Sequence, residues 1–137
     1  RNAGRLMHTI ALRYWRIDGP PDERWRWDTP RDAERVIERM AAWNACAIRS
    51  GHRLEPGKVR YVPEDGMEEL LSAPLLEAVG YGDCEDVVAY QLGAMWSQGV
   101  KARARVEYVG TRSDGIDEYH AMIRLPDGTI EDPSAWM

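Results

Sequence analysis

The chain has 137 residues, 44% of them apolar, and a formal net charge of -5. That length suits a single domain, residues 1–137, built on one core, and the composition excludes a disordered chain. No apolar run approaches the roughly 20 residues of a membrane-spanning helix, and the acidic residues 61–137 (5 basic against 15 acidic, where residues 1–60 have 13 against 8) argue against nucleic acid lying across that half.

Arg1 to Ile17 is basic, but its apolar residues alternate with polar ones rather than forming a block, so we expect no signal peptide and favour the cytoplasm. Leu6 to Ile17 reads as a strand, stopped by Asp18-Gly19-Pro20-Pro21. Arg24, Trp25, Arg26 and Trp27 follow, a segment better suited to covering a core or to cation–π contacts than to reading nucleic acid. A helix should start at Thr29 as N-cap, with Pro30 in its first position and Asp32 and Glu34 near the positive end of its dipole. Val36, Ile37, Met40, Ala41, Asn44, Ala47 and Ile48 mark its buried stripe, about five turns in all, before Ser50-Gly51 ends it. Residues 52–66 read as a loop with a short extended piece at Lys58–Val62.

Met67 to Val79 suggests a second helix, kinked or broken at Pro74. Gly80-Tyr81-Gly82 reads as a flexible turn into Asp83, a natural N-cap. A third helix, Cys84 to Gln98, should bury Val87, Val88, Gln91, Leu92 and Met95 and end at Gly99. Lys101–Val109 and Glu118–Leu125 alternate as strands around a turn-rich loop at 111–117. Pro126-Asp127-Gly128 then turns the chain into a third strand, Thr129–Asp132. The pattern is α+β, with a helix leading into an antiparallel three-stranded meander.

Two cysteines cannot staple a disulfide scaffold, and the chain has no Cys-x-x-Cys pair for a structural zinc. Cys46 falls in a helical stripe where a small buried thiol fits, which disfavours a Cys46–Cys84 bridge. His8 and His52 have no ligand-like spacing to Cys84 and His120, so we expect neither metal nor cofactor.

Cys84 is placed where a thiol can be activated. Unpaired amides and the dipole at a helix N-terminus favour the thiolate, and the same amides can bind an oxyanion. Asp83, Glu85 and Asp86 oppose this with negative charge, so an imidazolium must supply much of the stabilisation. His120, in the middle of the second meander strand, can return beside the helix start as that partner. Asp132 lies on the next strand, across the hairpin, at a height from which its carboxylate can orient the ring.

These residues sit in four segments: Gly82-Asp83-Cys84-Glu85-Asp86, Gly99-Val100-Lys101-Ala102-Arg103, Glu118-Tyr119-His120-Ala121 and Asp127-Gly128-Thr129-Ile130-Glu131-Asp132-Pro133. In order and spacing they resemble the transglutaminase-like superfamily, the papain-related cysteine peptidases and amide transferases, over about residues 80–134. The resemblance implies a papain-like core with the active-site helix packed on an antiparallel sheet. It also implies Cys84 as nucleophile, His120 as base and acid, and Asp132 as the orienting carboxylate, acting on a protein or peptide substrate. Trp43 and Tyr81 are the two candidates for a side-chain oxyanion donor. The chain stops at Met137, sooner after Asp132-Pro133 than such domains do, so we expect a final strand to be missing or supplied by a partner chain. The function this reading implies is cysteine-dependent acyl transfer on amide bonds, with hydrolysis preferred to transamidation. The alternative is a non-catalytic binding or assembly module that retains the fold.

Overall fold

The computed structural model describes residues 11–15, 30–54, 57–62, 67–111, 113 and 117–133. In chain order its elements are β1 (Ala11–Trp15), α1 (Pro30–Arg49), β2 (Arg60–Tyr61), β3 (Met67–Leu71), α2 (Ala73–Val79), β4 (Tyr81–Gly82), α3 (Cys84–Ser97), β5 (Arg103–Thr111), β6 (Asp117–Arg124) and β7 (Ile130–Glu131). The class is α+β. The strands form an antiparallel β1–β3 pair, a two-residue parallel β2–β4 pair and the antiparallel meander β5–β6–β7.

The core forms because α1 and α3 pack on each other and on β5 and β6. α1 contributes Ala33, Ile37, Met40 and Ala41 at helical spacing, and α3 contributes Cys84, Val88, Ala89 and Leu92. Alternate strand residues Ala104, Val106, Ala121 and Ile123 close the cluster from the sheet. The two helices pack tightly at Gly93, where an added Cβ would lie 2.7 Å from Asn44 Cβ and 2.8 Å from the Ala41 carbonyl oxygen. A smaller cluster of Leu54, Val59, Leu71, Leu76, Val87 and Tyr90 packs behind α2. Asn44, wholly buried on α1, ties α2 to this frame by accepting from the Ala73 amide at 2.7 Å.

β5 is an edge strand, and its outward amides would be orphaned without a partner. Two carboxylates of α1 take that role. Glu38 Oε2 accepts from the Ala104 amide at 3.0 Å, and Glu34 Oε2 accepts from the Val106 amide at 2.9 Å. One helical turn rises about 5.4 Å and two strand residues about 6.6 Å, so an i, i+4 pair of glutamates fits alternate strand amides. Arg103 closes the arrangement with Nε and Nη2 on Glu38 at 2.8 and 2.9 Å.

Three expectations change. Met67–Val79 is not one helix: Met67–Leu71 is a strand paired with β1, and the helix begins only at Ala73. Pro74 does not kink a helix but sits in its first turn, where a missing N–H leaves nothing unbonded. Gly80-Tyr81-Gly82 is not a flexible turn. Gly80, at φ 74°, caps α2 by donating to the Leu76 carbonyl, and Tyr81–Gly82 pairs with β2. Cys46 is exposed rather than buried, and no disulfide joins it to Cys84. The expected strand Leu6–Ile17 is described only at 11–15, and Thr29 and the Arg/Trp segment 24–27 lie outside the described residues. Among the described residues no helix is long and apolar enough to cross a membrane.

Gly93→Ala should force α1 and α3 apart and destabilise the protein by about 1–3 kcal/mol, the usual range for overpacking a tight interface. Urea denaturation measures it, and a loss below about 0.5 kcal/mol would mean that the helix contact is not tight at Gly93.

Candidate active site

Cys84 is the first residue of α3, and the helix start around it is a complete capping box. Asp83 is the extended N-cap, and its Oδ1 accepts from the amides of Glu85 (3.1 Å) and Asp86 (3.4 Å). Asp86 returns the bond, with Oδ2 accepting from the Asp83 amide at 2.9 Å. Its other oxygen, Oδ1, accepts from the Leu71 amide of β3 at 2.8 Å, so one carboxylate joins the helix start to a strand. Gly82 must be glycine for this to fit, because a Cβ there would lie 2.7 Å from Asp86 Oδ2 and 2.9 Å from Leu76 Cδ1.

Asp86 is fully buried. Burial pushes its carboxyl well above the usual carboxylate range, and the nearby Asp83 and Glu85 push the same way, against the two amide donors. The negative charge expected around the thiol is therefore partly turned inward: Asp83 faces the first-turn amides, and Asp86 the amides of Asp83 and Leu71. Cys84 itself is buried, 7% exposed, in the cluster formed with Val88, Ala121 and Ile123.

His120 and Asp132 are brought together. His120 Nε2 and Asp132 Oδ2 lie 2.9 Å apart, with side chains 31% and 49% exposed. Two features of the hairpin set that distance. The loop is the three residues Pro126-Asp127-Gly128, closed by the Leu125 amide donating to the Thr129 carbonyl at 2.8 Å, with Gly128 at φ 92°. Asp127 Oδ1 accepts from both the amide and the hydroxyl of Thr129, and these bonds hold its carboxyl below the ordinary range. The resulting register pairs Ile123 with Glu131 and Arg124 with Ile130. Carried one step on, it sets Asp132 level with Met122, a diagonal neighbour of His120 on one sheet face.

The third residue reaches this strand differently. Val106 pairs with Ala121 in the core, and Glu107 pairs with His120, so the imidazole belongs to the sheet face opposite Ala121. α3, which begins with Cys84, packs against β6 from the core side. Among the described residues the ring is hydrogen-bonded to Asp132 through Nε2. Nδ1 is the ring nitrogen that Asp132 leaves unengaged.

Both candidate oxyanion donors are placed. Trp43 projects from α1 against the core cluster that contains Cys84, and its indole Nε1–H is buried without an acceptor. Tyr81 stands on β4, three residues before Cys84, 44% exposed. The sequence concealed the β2–β4 ladder beside them, in which the Val62 amide donates to the Gly82 carbonyl at 2.8 Å. A two-residue parallel pair leaves no periodic signal. Among the described residues no group of three or more His, Cys, Asp or Glu could hold a metal ion.

No family model, curated protein or solved structure matches the chain.

Asp86→Ala should destabilise by about 2–4 kcal/mol, because it orphans the buried amides of Leu71 and Asp83. The pH dependence has a definite sign. A carboxyl raised on folding contributes stability that is present below its unfolded pKa and lost as pH rises through the folded one. Stability measured by urea across pH should therefore show the advantage of wild type over Asp86→Asn shrinking as pH rises. A gap independent of pH would mean that Asp86 titrates normally.

Proposed function

We propose that the chain is a cysteine-dependent acyl-transfer enzyme acting on amide bonds, with a transglutaminase-like core. In this reading Cys84 is the nucleophile, His120 the general base and acid, and Asp132 the orienting carboxylate. The observation that carries it is the 2.9 Å bond between His120 Nε2 and Asp132 Oδ2. Such a bond fixes the tautomer and ring orientation and leaves Nδ1 for the thiol proton. The position of Cys84 at the start of a capped helix packed on the His120 strand adds support.

The chemistry follows from those groups. His120 Nδ1 takes the Cys84 proton, and the thiolate attacks the amide carbonyl carbon. As the tetrahedral intermediate collapses, the imidazolium gives its proton to the leaving amine, and a thioester to Cys84 remains. Water activated by the same imidazole then releases the acid. The Trp43 indole N–H, which has no acceptor, is suited to stabilise the oxyanion, as is the exposed Tyr81 hydroxyl. The substrate is a protein or peptide amide. Two observations favour the rival reading of a non-catalytic assembly module: Cys84 is only 7% exposed, and His120 belongs to the sheet face opposite the core side on which Cys84 is buried.

Intact-mass labelling with iodoacetamide across pH separates the two. The enzyme reading expects Cys84 to label below the pH at which an ordinary thiol ionises, and Cys84→Ala to remove that labelling and all turnover. Cys46→Ala should leave both intact, and Asp132→Asn should slow low-pH labelling of Cys84 by about tenfold or more. Labelling of Cys46 alone, or of both cysteines with an unperturbed pH profile, would refute the enzyme.

A further inference from the structure

Residues 61–137 contain only five basic residues, and three of them, Arg103, Arg105 and Arg124, stand on one sheet face. Cα pairing puts Arg103 directly opposite Arg124, a like-charge pair that is unfavourable unless something negative lies between or beside the two. Across the β5 edge, α1 adds Arg31 and Arg35. Together Arg31, Arg35, Arg103 and Arg124 line a cavity of about 220 Å³, and its acidic lining residues among the described residues are Glu34 and Glu38.

Neither glutamate is available to neutralise the whole group. Glu34 is held by the Val106 amide, and Glu38 by the Ala104 amide and both arms of Arg103. Burial raises the Glu38 carboxyl, but its bonds to Arg103 and Ala104 outweigh that and hold it below the usual range, so it is ionised and fully committed. Arg35 has a loose contact with Asp32 at 3.7 Å, and Arg105 is paired with Glu107 at 2.7 Å. Arg31 and Arg124 make no ion pair or hydrogen bond among the described residues, although Arg31 feels the charge of Glu38. Two uncommitted guanidinium groups therefore face a concave site in a protein whose net charge is negative.

We propose that this cavity is an oxyanion-binding subsite that takes a phosphate or carboxylate group carried by a ligand, held between Arg31 and Arg124. Guanidinium forks match either group through paired N–H donors, and two of them lining one cavity suit a tetrahedral or planar oxyanion. The proposal does not depend on the chemistry of Cys84.

The test uses the full chain at pH 7, with inorganic phosphate, acetate and chloride titrated at matched ionic strength. Melting temperature and calorimetric binding are the readouts. We expect a saturable rise in melting temperature with phosphate or acetate beyond that with chloride. Tighter phosphate binding would assign a phosphorylated ligand, and tighter acetate binding a carboxylate. Arg31→Gln/Arg124→Gln, both exposed positions at which the fold has no stake, should weaken binding at least tenfold. Arg49→Gln, at the far end of α1, should leave it unchanged. Equal shifts with all three salts, or binding retained by the double variant, would overturn the subsite.

Discussion

The carboxylate of Asp86 is the constraint on which the candidate site depends. It lies wholly inside the protein, and its two oxygens join the N-cap amide of α3 to the last residue of β3. A charge in such a place is unfavourable unless its lone pairs are filled, and here backbone amides fill them. The arrangement reaches outward. Gly82 has no side chain because Asp86 occupies the space, which lets β4 run close beneath the helix start. Cys84 follows as the first residue of the helix that these bonds anchor.

Charge at this helix start is arranged differently from what the sequence suggests. Three acidic residues flank Cys84, and counted as point charges they would suppress a thiolate. The structure aims Asp83 at first-turn amides and Asp86 at the N-cap and Leu71 amides, so their effect on the thiol is that of amide-bound caps and not of free anions. In the proposed enzyme, electrostatic support for a thiolate would have to come from His120, whose ring is held by Asp132. The two halves of the proposed machinery thus rest on separate devices, a buried capping box and an exposed hairpin.

Much of this was legible in the residues. The stripe from Val36 to Ile48 repeats at helical spacing between good terminal residues, and α1, α3 and the meander all follow from local pattern. The hairpin placed His120 and Asp132 on neighbouring strands because Pro126-Asp127-Gly128 has turn chemistry that depends on few distant contacts. The failures share a cause. Met67–Leu71 has helix-compatible residues and becomes a strand only because β1, more than fifty residues upstream, is there to pair with it. The β2–β4 pair is likewise a long-range event of two residues. The bond from Leu71 to Asp86 and the lack of an acceptor for Trp43 are facts of packing that no periodicity encodes.

The sealing of β5 by Glu34 and Glu38 bears on how the chain acquires its structure. The acceptors are 72 and 66 residues upstream of the amides they satisfy. During synthesis α1 is therefore made long before the strand it completes, and must hold its two carboxylates in water until the meander emerges. Closing so long a loop is entropically slow, and the hairpin β5–β6 gains its full set of bonds only once α1 has docked. Folding of the sheet is thereby coupled to folding of the helix pair. A C-terminal fragment containing the meander alone would present an open strand edge to its neighbours, so in this protein the N-terminal helix acts as an intramolecular chaperone for the sheet.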